Sequence, residues 1–270
     1  MEKNMKKTIF LLVLCSMLVI TGCSGPASEK KQEESEMEDR MDLTQEKKDF
    51  LAAMSMDEER VQDGKLYEWQ REVLYQYDYA MEYLRQKYPS HIFHFTSGNP
   101  KGKNESFSTF WFEADGETDS YELYLYVDDN GDYRCEDNFY GALIKDSYND
   151  ALLSLLKERV PECIGVACDF NTVQGADFGE QLTGQEILEG DDRISNTTYI
   201  YVVQPDASQA QTLVETLQGV IAEKNIYGSY YVEVLNSDPD SAYSGDELKA
   251  CVQEQESQDV ILEQKFNVFD

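Results

Sequence analysis

The chain has 270 residues, of which 53 are acidic and 23 are Lys or Arg, so its formal charge at pH 7 is −30. Its hydrophobic content of 41% supplies enough apolar surface for a core, which excludes a disordered acidic chain. The acidic excess excludes binding to nucleic acid, because a phosphate backbone requires a basic surface. Two His and six Cys offer few ligands for a transition metal, and we expect no cofactor.

The N-terminus has the pattern of an export signal. Lys3, Lys6 and Lys7 precede an uncharged apolar run over residues 8–20. At about 1.5 Å per helical residue, this run spans about 20 Å, which is shorter than the hydrocarbon core of about 30 Å. The length therefore favours a signal peptide over a membrane-spanning helix.

Residues 20–23 read Ile-Thr-Gly-Cys, and this run resembles the lipobox of bacterial lipoproteins. In that family small residues precede an invariant Cys whose thiol receives a diacylglyceryl group; here Ile20 stands where Leu is commoner. The resemblance implies that residues 1–22 are a lipoprotein signal peptide. It also implies that Cys23 carries the lipid, which palmitate would label, and that the membrane is a partner through this anchor. We therefore expect the protein on the extracytoplasmic face of the cell membrane. The alternative is a plain signal peptide followed by an unrelated Cys.

Residues 23–42 form a flexible acidic tether in this interpretation, because they are rich in Ser, Glu, Lys and Gln and lack apolar periodicity. After the tether, apolar residues at helical spacing begin at Leu43 and stop at Asp63-Gly64. A second helical stripe runs from Leu66 through Trp69 to Tyr88, and we expect its aromatic residues to pack in the core. The first half, 43–160, is completed by predicted strands at 91–96, 106–114, 120–127 and 133–135, followed by a helix at 143–160.

The second half, 161–270, alternates more regularly between strands and helices. Asp206 and Gln209 have the spacing of a capping box, which predicts a helix from 206 onward. The other predicted elements are strands at 163–170, 198–203, 230–235 and 260–268, a helical turn at 185–188 and a helix at 246–253. These patterns predict an α+β fold with mostly antiparallel sheets and a joint near residue 161. They leave open whether the body is one domain or two small subdomains.

Residues 128–132 contain three acids, and Asp128, Asp129 and Asp132 are the candidates for a weak cation site. An EF-hand register that places Gly131 at the sixth position puts Tyr126 at the first, where a carboxylate is needed. Asn130-Gly131 between two strand-like runs instead favours a type I′ hairpin turn. We therefore expect a turn here, with the cation site as the alternative.

Four cysteines remain available for disulfides once Cys15 is cleaved away and Cys23 is acylated: Cys135, Cys163, Cys168 and Cys251. If residues 163–170 form a strand, the Cα atoms of Cys163 and Cys168 lie about 17 Å apart, whereas a disulfide needs about 5.5 Å. The alternating apolar residues favour the strand and exclude a bridge between these two. One long-range disulfide and none both remain open.

The body shows no catalytic motif, and we expect a non-enzymatic binding or accessory module whose protein or small-molecule ligand is unknown. The alternatives are a solute-binding lipoprotein for a sugar or peptide and a carboxylate-based hydrolase. Many strands carry aromatic residues on both faces, and we expect helices to cover both faces of the sheets.

Overall fold

A computed structural model of the protein describes residues 40–102, 104–170, 172–189, 194–239, 245–254 and 259–268. The fold is α+β, as the sequence predicted, and the described residues from Asp42 onward form one compact unit. The helices are α1 (Gln45–Met54), α2 (Glu58–Gln62), α3 (Glu68–Lys87), α4 (Phe139–Lys157), α5 (Gly184–Glu189), α6 (Ala207–Glu223) and α7 (Gly245–Glu254). The strands are β1 (Phe93–Asn99), β2 (Phe107–Ala114), β3 (Ser120–Val127), β4 (Tyr133–Asp137), β5 (Cys163–Asp169), β6 (Asn196–Val203), β7 (Gly228–Leu235) and β8 (Val260–Val268).

The first sheet is an antiparallel meander in the order β1-β2-β3-β4. Side chains along β2 and β3 alternate between buried and half-exposed, as the period of a strand requires. On the buried face, Phe112 of β2 lies between Phe95 of β1 and Tyr121 of β3 in the cross-strand register. Aromatic neighbours of this kind stabilise the pairing of strands.

Helices α1 and α3 cover that buried face. Phe50 of α1 stacks on Phe110 with ring centroids 5.8 Å apart, and it meets Tyr77 of α3 edge-on at 5.0 Å. Tyr77 in turn meets Phe95 at 5.1 Å. One layer of rings therefore joins two helices to two strands, and this layer is the core of the first half.

The predicted stripe of α3 is wrong at Trp69, whose side chain is 43% exposed. Gln70 is buried in its place. The amide of Gln70 donates to the hydroxyl of Ser55 at 3.2 Å, and its oxygen accepts from the backbone N–H of Tyr67 at 2.8 Å. Because these bonds satisfy the polar side chain at the start of the helix, Gln70 can be buried there and Trp69 turns outward.

The second sheet has the order β5-β6-β7-β8, and its central pair is parallel. Strands β5 and β8 pair antiparallel with their neighbours. Helix α6 connects the parallel strands, so β6-α6-β7 is a single crossover unit within the described ranges. The predicted strands and helices of this half are all present, although the parallel pair was not predicted.

The start of α6 is capped differently from a capping box. The side chain of Asp206 accepts from the backbone N–H of Ser208 at 3.0 Å, as an N-cap residue does. Gln209 donates to the Asp206 carboxylate at 3.1 Å, while the N–H of Asp206 donates to the side chain of Gln204 at 3.0 Å. The helix start was predicted correctly. A capping box would need the backbone N–H of Asp206 to donate to the side chain of Gln209, but this N–H donates to Gln204 instead.

Helix α4 belongs to both halves of the body. At its start, Phe139 packs edge-on against Tyr88 at 4.9 Å and Phe93 at 5.1 Å, inside the first core. Further along, Tyr148 meets Phe170 at 5.0 Å, next to the end of β5. The first sheet lies before Pro161 and the second after it, and α4 packs against both sides of this joint.

Candidate functional site

A cleft of about 510 Å³ opens where the two halves meet. Its walls are the β2–β3 turn (residues 116–119), the first two turns of α4 and Asp246 at the start of α7. We call it the seam cleft. These three segments are far apart in the sequence, and the fold alone brings them together.

The floor of the seam cleft is aromatic. Tyr121 and Phe139 line it, with ring centroids 4.9 Å apart in an edge-to-face arrangement. Phe139 is 1% exposed and Tyr121 is 8% exposed. The backbone N–H of Phe139 donates to the buried carboxylate of Asp137 at 3.0 Å, at the start of α4. Both rings are almost fully covered, so the floor exposes little aromatic surface to the cleft.

The rim of the cleft is acidic. Glu117 and Asp119 come from the β2–β3 turn, and Asp246 comes from α7. The hydroxyl of Tyr121 donates to Glu117 at 2.5 Å. Burial and this bond to a carboxylate raise the pKa of Tyr121 well above its ordinary value, so the hydroxyl keeps its proton and remains a donor to Glu117.

One cation, Lys145, lines the cleft and is already paired. Its Nζ lies 2.6 Å from Asp246 and 3.2 Å from Asp169 at the end of β5. Burial opposes the charge, but the bonds to Asp246 and Asp169 outweigh it and raise the pKa of Lys145. Lys249 pairs with the other oxygen of Asp169 at 2.6 Å. Most of the unused hydrogen-bonding capacity of the rim is therefore that of carboxylate oxygens, beside one proton of Lys145 and the hydroxyl of Thr118.

The loop with the candidate cation ligands has a different turn from the predicted one. Gly131 has a φ of 87°, but Asn130 does not have the positive φ that a type I′ turn requires. The N–H of Gly131 donates to the carbonyl of Asp128 at 3.1 Å, and the N–H of Asp128 donates to the carbonyl of Asp132 at 3.0 Å. This is a three-residue hairpin loop with a left-handed Gly at its third position.

The side chains of this loop stabilise the turn. The Asp128 carboxylate accepts from the backbone N–H of Asp132 at 2.9 Å and of Asn130 at 2.8 Å, and these bonds lower the pKa of Asp128. Asp129 and Asp132 are exposed. In the described part of the chain, no group of three or more His, Cys, Asp or Glu side chains has the arrangement of a metal site. Cation binding by Asp128, Asp129 and Asp132 stays a prediction, which a calcium titration tests.

The predicted lipid attachment site, Cys23, lies outside the described residues. Cys163 and Cys168 are both on β5, as expected, and neither they nor Cys135 forms a disulfide. Burial raises the pKa of each of these three thiols to about 12. Cys251 is half-buried on α7. The three buried cysteines are therefore apolar core residues rather than reactive groups.

The outer face of the first sheet is an aromatic patch, because the helices that contact this sheet lie on its other face. Phe107 stacks on Tyr124 at 4.5 Å and meets Tyr126 edge-on at 5.3 Å. The carboxylate of Glu122 accepts from the indole of Trp111 and the hydroxyl of Tyr124. These rings are half-exposed, so the expectation of helices on both faces is wrong for this sheet.

The second sheet holds two facing carboxylates. Glu233 of β7 lies directly opposite Glu263 of β8, and burial together with the charge of Glu263 raises the pKa of Glu233. Tyr201 lies next to Glu233 on β6, and its buried hydroxyl has no hydrogen-bond partner among the described residues. Glu263 is exposed on the edge strand.

No family model, curated protein or solved structure matches this chain. Across the ranges that the structure describes, no helix is long and apolar enough to cross a membrane. A function for the protein therefore has to be inferred from the geometry of the chain itself.

Sequence reasoning missed the seam cleft. Its acids lie in segments that the sequence showed only as a polar turn near Glu117 and a helix start at Asp246. Phe139 stood four residues before the predicted start of its helix. The one local signal was the acidic stretch of residues 115–119 between two aromatic strands, which is typical of an ordinary hairpin loop.

Proposed function

We propose that the mature protein is a lipid-anchored, extracytoplasmic binding module without catalytic activity, and that its ligand occupies the seam cleft. The observation that carries this proposal is the cleft itself, which has an acidic rim above the nearly buried rings of Tyr121 and Phe139. Its volume of about 510 Å³ lies in the range of pockets that bind small organic ligands. It is built from both halves of the body, and joints between structural units are common places for such pockets.

The anchor is tested separately from the cleft. We expect processing of the precursor to stop in the presence of globomycin and the mature protein to incorporate labelled palmitate. A Cys23→Ala variant loses the label and leaves the membrane fraction, while Cys251→Ala, which keeps the predicted lipobox, retains both. Membrane retention of Cys23→Ala would contradict the anchor but leave the cleft proposal standing.

The cleft is tested by filling it. Ala142 is exposed at the cleft wall on α4, and Ala250 is an exposed residue of α7 that does not line the cleft. We expect a probe set of putrescine, arginine, maltose and a dipeptide to include a ligand that raises the melting temperature of the soluble body. Ala142→Trp removes that shift and Ala250→Trp keeps it. A shift that persists in Ala142→Trp places the ligand elsewhere and rejects the proposal.

A second candidate function is a carboxylate-based hydrolase, which the raised pKa of Glu233 opposite Glu263 favours. Facing residues of an antiparallel pair have Cβ atoms about 5 Å apart, and retaining glycosidases hold their two carboxyl groups at a similar spacing. The cleft is the better supported site because Glu263 is exposed on an edge strand, whereas such a pair must enclose the bond it cleaves. Hydrolysis of aryl glycosides by the wild type but not by Glu233→Gln would establish the enzyme.

A further inference from the structure

The charges of the seam cleft are unbalanced. Three carboxylates line it, on Glu117, Asp119 and Asp246, against the single ammonium of Lys145. That ammonium also pairs with Asp169, which lies outside the cleft lining. Lys145 therefore cannot neutralise the rim, and the cleft is a region of negative potential within a chain whose formal charge is −30.

The hydrogen-bonding groups of the rim are unbalanced in the same direction. The hydroxyl of Tyr121 donates to Glu117, and the ammonium of Lys145 donates to Asp246 and Asp169. The ammonium of Lys145 keeps one proton and Thr118 adds a hydroxyl to the lining, but the three carboxylates have more acceptor positions than these two donors can fill. A ligand that donates hydrogen bonds therefore fits this rim best, and a positively charged donor forms the stronger bond.

The floor sets a second requirement. Leu143 of α4 is half-buried and presents aliphatic surface to the cleft, Tyr121 at 8% exposed adds a little aromatic surface, and Phe139 at 1% exposed adds almost none. Apolar side chains of this kind bind the hydrocarbon part of a ligand by burial. The floor therefore fits a cation that carries a hydrocarbon body.

A bare metal ion fits the cleft poorly. Ca²⁺ takes six to eight oxygen ligands at about 2.4 Å, and the described part of the chain contains no set of three acidic, His or Cys side chains so placed. The volume of about 510 Å³ is also that of an organic ligand.

We infer that the seam cleft binds a small organic cation, in which an ammonium or guanidinium group contacts Asp119 and Asp246 and a hydrocarbon body lies against Leu143 and the exposed part of Tyr121. This inference rests on the proposed function, because it names the ligand class of the same cleft. The acidic surface of the whole chain attracts such ligands and raises their local concentration.

The test is isothermal titration of the soluble body with putrescine and arginine, and with glutamate, maltose and CaCl₂ as comparison probes. We expect putrescine or arginine to bind. Asp119→Asn removes one charged acceptor and weakens that binding by about tenfold, as expected for a hydrogen bond to a charged group. Asp129→Asn makes the same change in the β3–β4 turn and is the matched control, for which affinity stays unchanged.

The possible results separate the ligand class from the site. If maltose or glutamate binds, and that binding is lost in Ala142→Trp but not in Asp119→Asn, the cation inference is wrong and the binding function stands. Putrescine binding that responds equally to Asp119→Asn and Asp129→Asn shows only attraction to an acidic surface and overturns the inference. Calcium binding that depends on Asp119 identifies a metal site instead. Binding of no probe to the cleft contradicts the inference too. Melting temperatures of all variants establish that each is folded.

Discussion

Lys87 and Asp137 form a buried ion pair in the first half of the body, with Nζ and Oδ2 2.7 Å apart and neither side chain more than 1% exposed. The ammonium also donates to the carbonyl of Gln174 at 2.8 Å and to the hydroxyl of Tyr83 at 3.0 Å. The carboxylate accepts as well from Tyr83 and Tyr88, both at 2.8 Å. All three protons of the ammonium are therefore used, so Lys87 is a structural cation and has no role as a nucleophile.

Breaking this pair on one side is expected to be costly. Asp137→Ala leaves the ammonium of Lys87 buried without its counter-charge, and we expect it to lower the free energy of unfolding by about 3–5 kcal/mol. Lys47→Met is the matched control, because Lys47 pairs with the exposed Asp78 and such a surface pair contributes less than about 1 kcal/mol. Urea denaturation measures both. A small effect of Asp137→Ala would mean that the pair is not buried as described.

From the ion pairs of Asp169 with Lys145 and Lys249, we predict how the stability of the protein depends on pH. Although burial opposes it, bonds from Lys249 and Lys145 hold the pKa of Asp169 below its ordinary value. The unfolded chain therefore binds this proton more readily, so the stabilisation is complete above about pH 4 and is lost as the pH falls through the folded pKa. Unfolding measured from pH 7 to pH 3 is expected to show that wild type and Asp169→Asn converge in stability at the acid end. A constant difference between them contradicts the ion pairs.

We expect the buried cysteines to be alkylated slowly. With pKa values of about 12, the thiols of Cys135, Cys163 and Cys168 are almost entirely protonated at pH 8, and burial also blocks access. In a Cys251→Ser variant without the signal peptide and Cys23, we expect no iodoacetamide labelling of the folded body and three labels after unfolding without reductant. Fewer than three labels in the unfolded, unreduced sample would reveal a disulfide.

Replacing each of two glycines by Ala is expected to change the free energy of unfolding in opposite directions. A Cβ at Gly184 would clash with the backbone N and Cα of Tyr148, so Gly184→Ala must push α5 away from α4 and cost about 1–3 kcal/mol. A Cβ at Gly219, inside α6, would meet no heavy atom within 4 Å, and Gly219→Ala is expected to stabilise the protein by about 1 kcal/mol. Thermal unfolding of both variants measures this. Stabilisation by Gly184→Ala would refute the close contact between α5 and α4.

Much of the fold was predictable because the local signals agreed with the tertiary contacts. The strand at Ser120–Val127 was predicted at its observed bounds, since its aromatic and aliphatic residues alternate between core and surface. The start of α6 followed from Asp206, whose short carboxylate caps the helix. The prediction that Trp69 is buried was wrong, because helical periodicity does not show which polar side chain finds hydrogen-bond partners at a helix start.

The functional surfaces were not predictable for a different reason. The seam cleft joins Glu117 to Asp246, and no local pattern links residues so far apart in the sequence. The aromatic patch was predicted as buried because the sequence shows how many helices exist but not which face of a sheet they take. Lys145 was missed because its partners, Asp169 and Asp246, lie on two later elements.

Helix α4 has a consequence for how the body comes apart. A protease that cuts the connection at Pro161 would leave α4 on the first fragment, and Tyr148 of α4 would still pack against Phe170 of the second fragment. The two fragments are expected to migrate as one particle in size exclusion and to separate only in denaturant. The second piece is not expected to fold alone after gene fission, since the helix that completes it is encoded with the first.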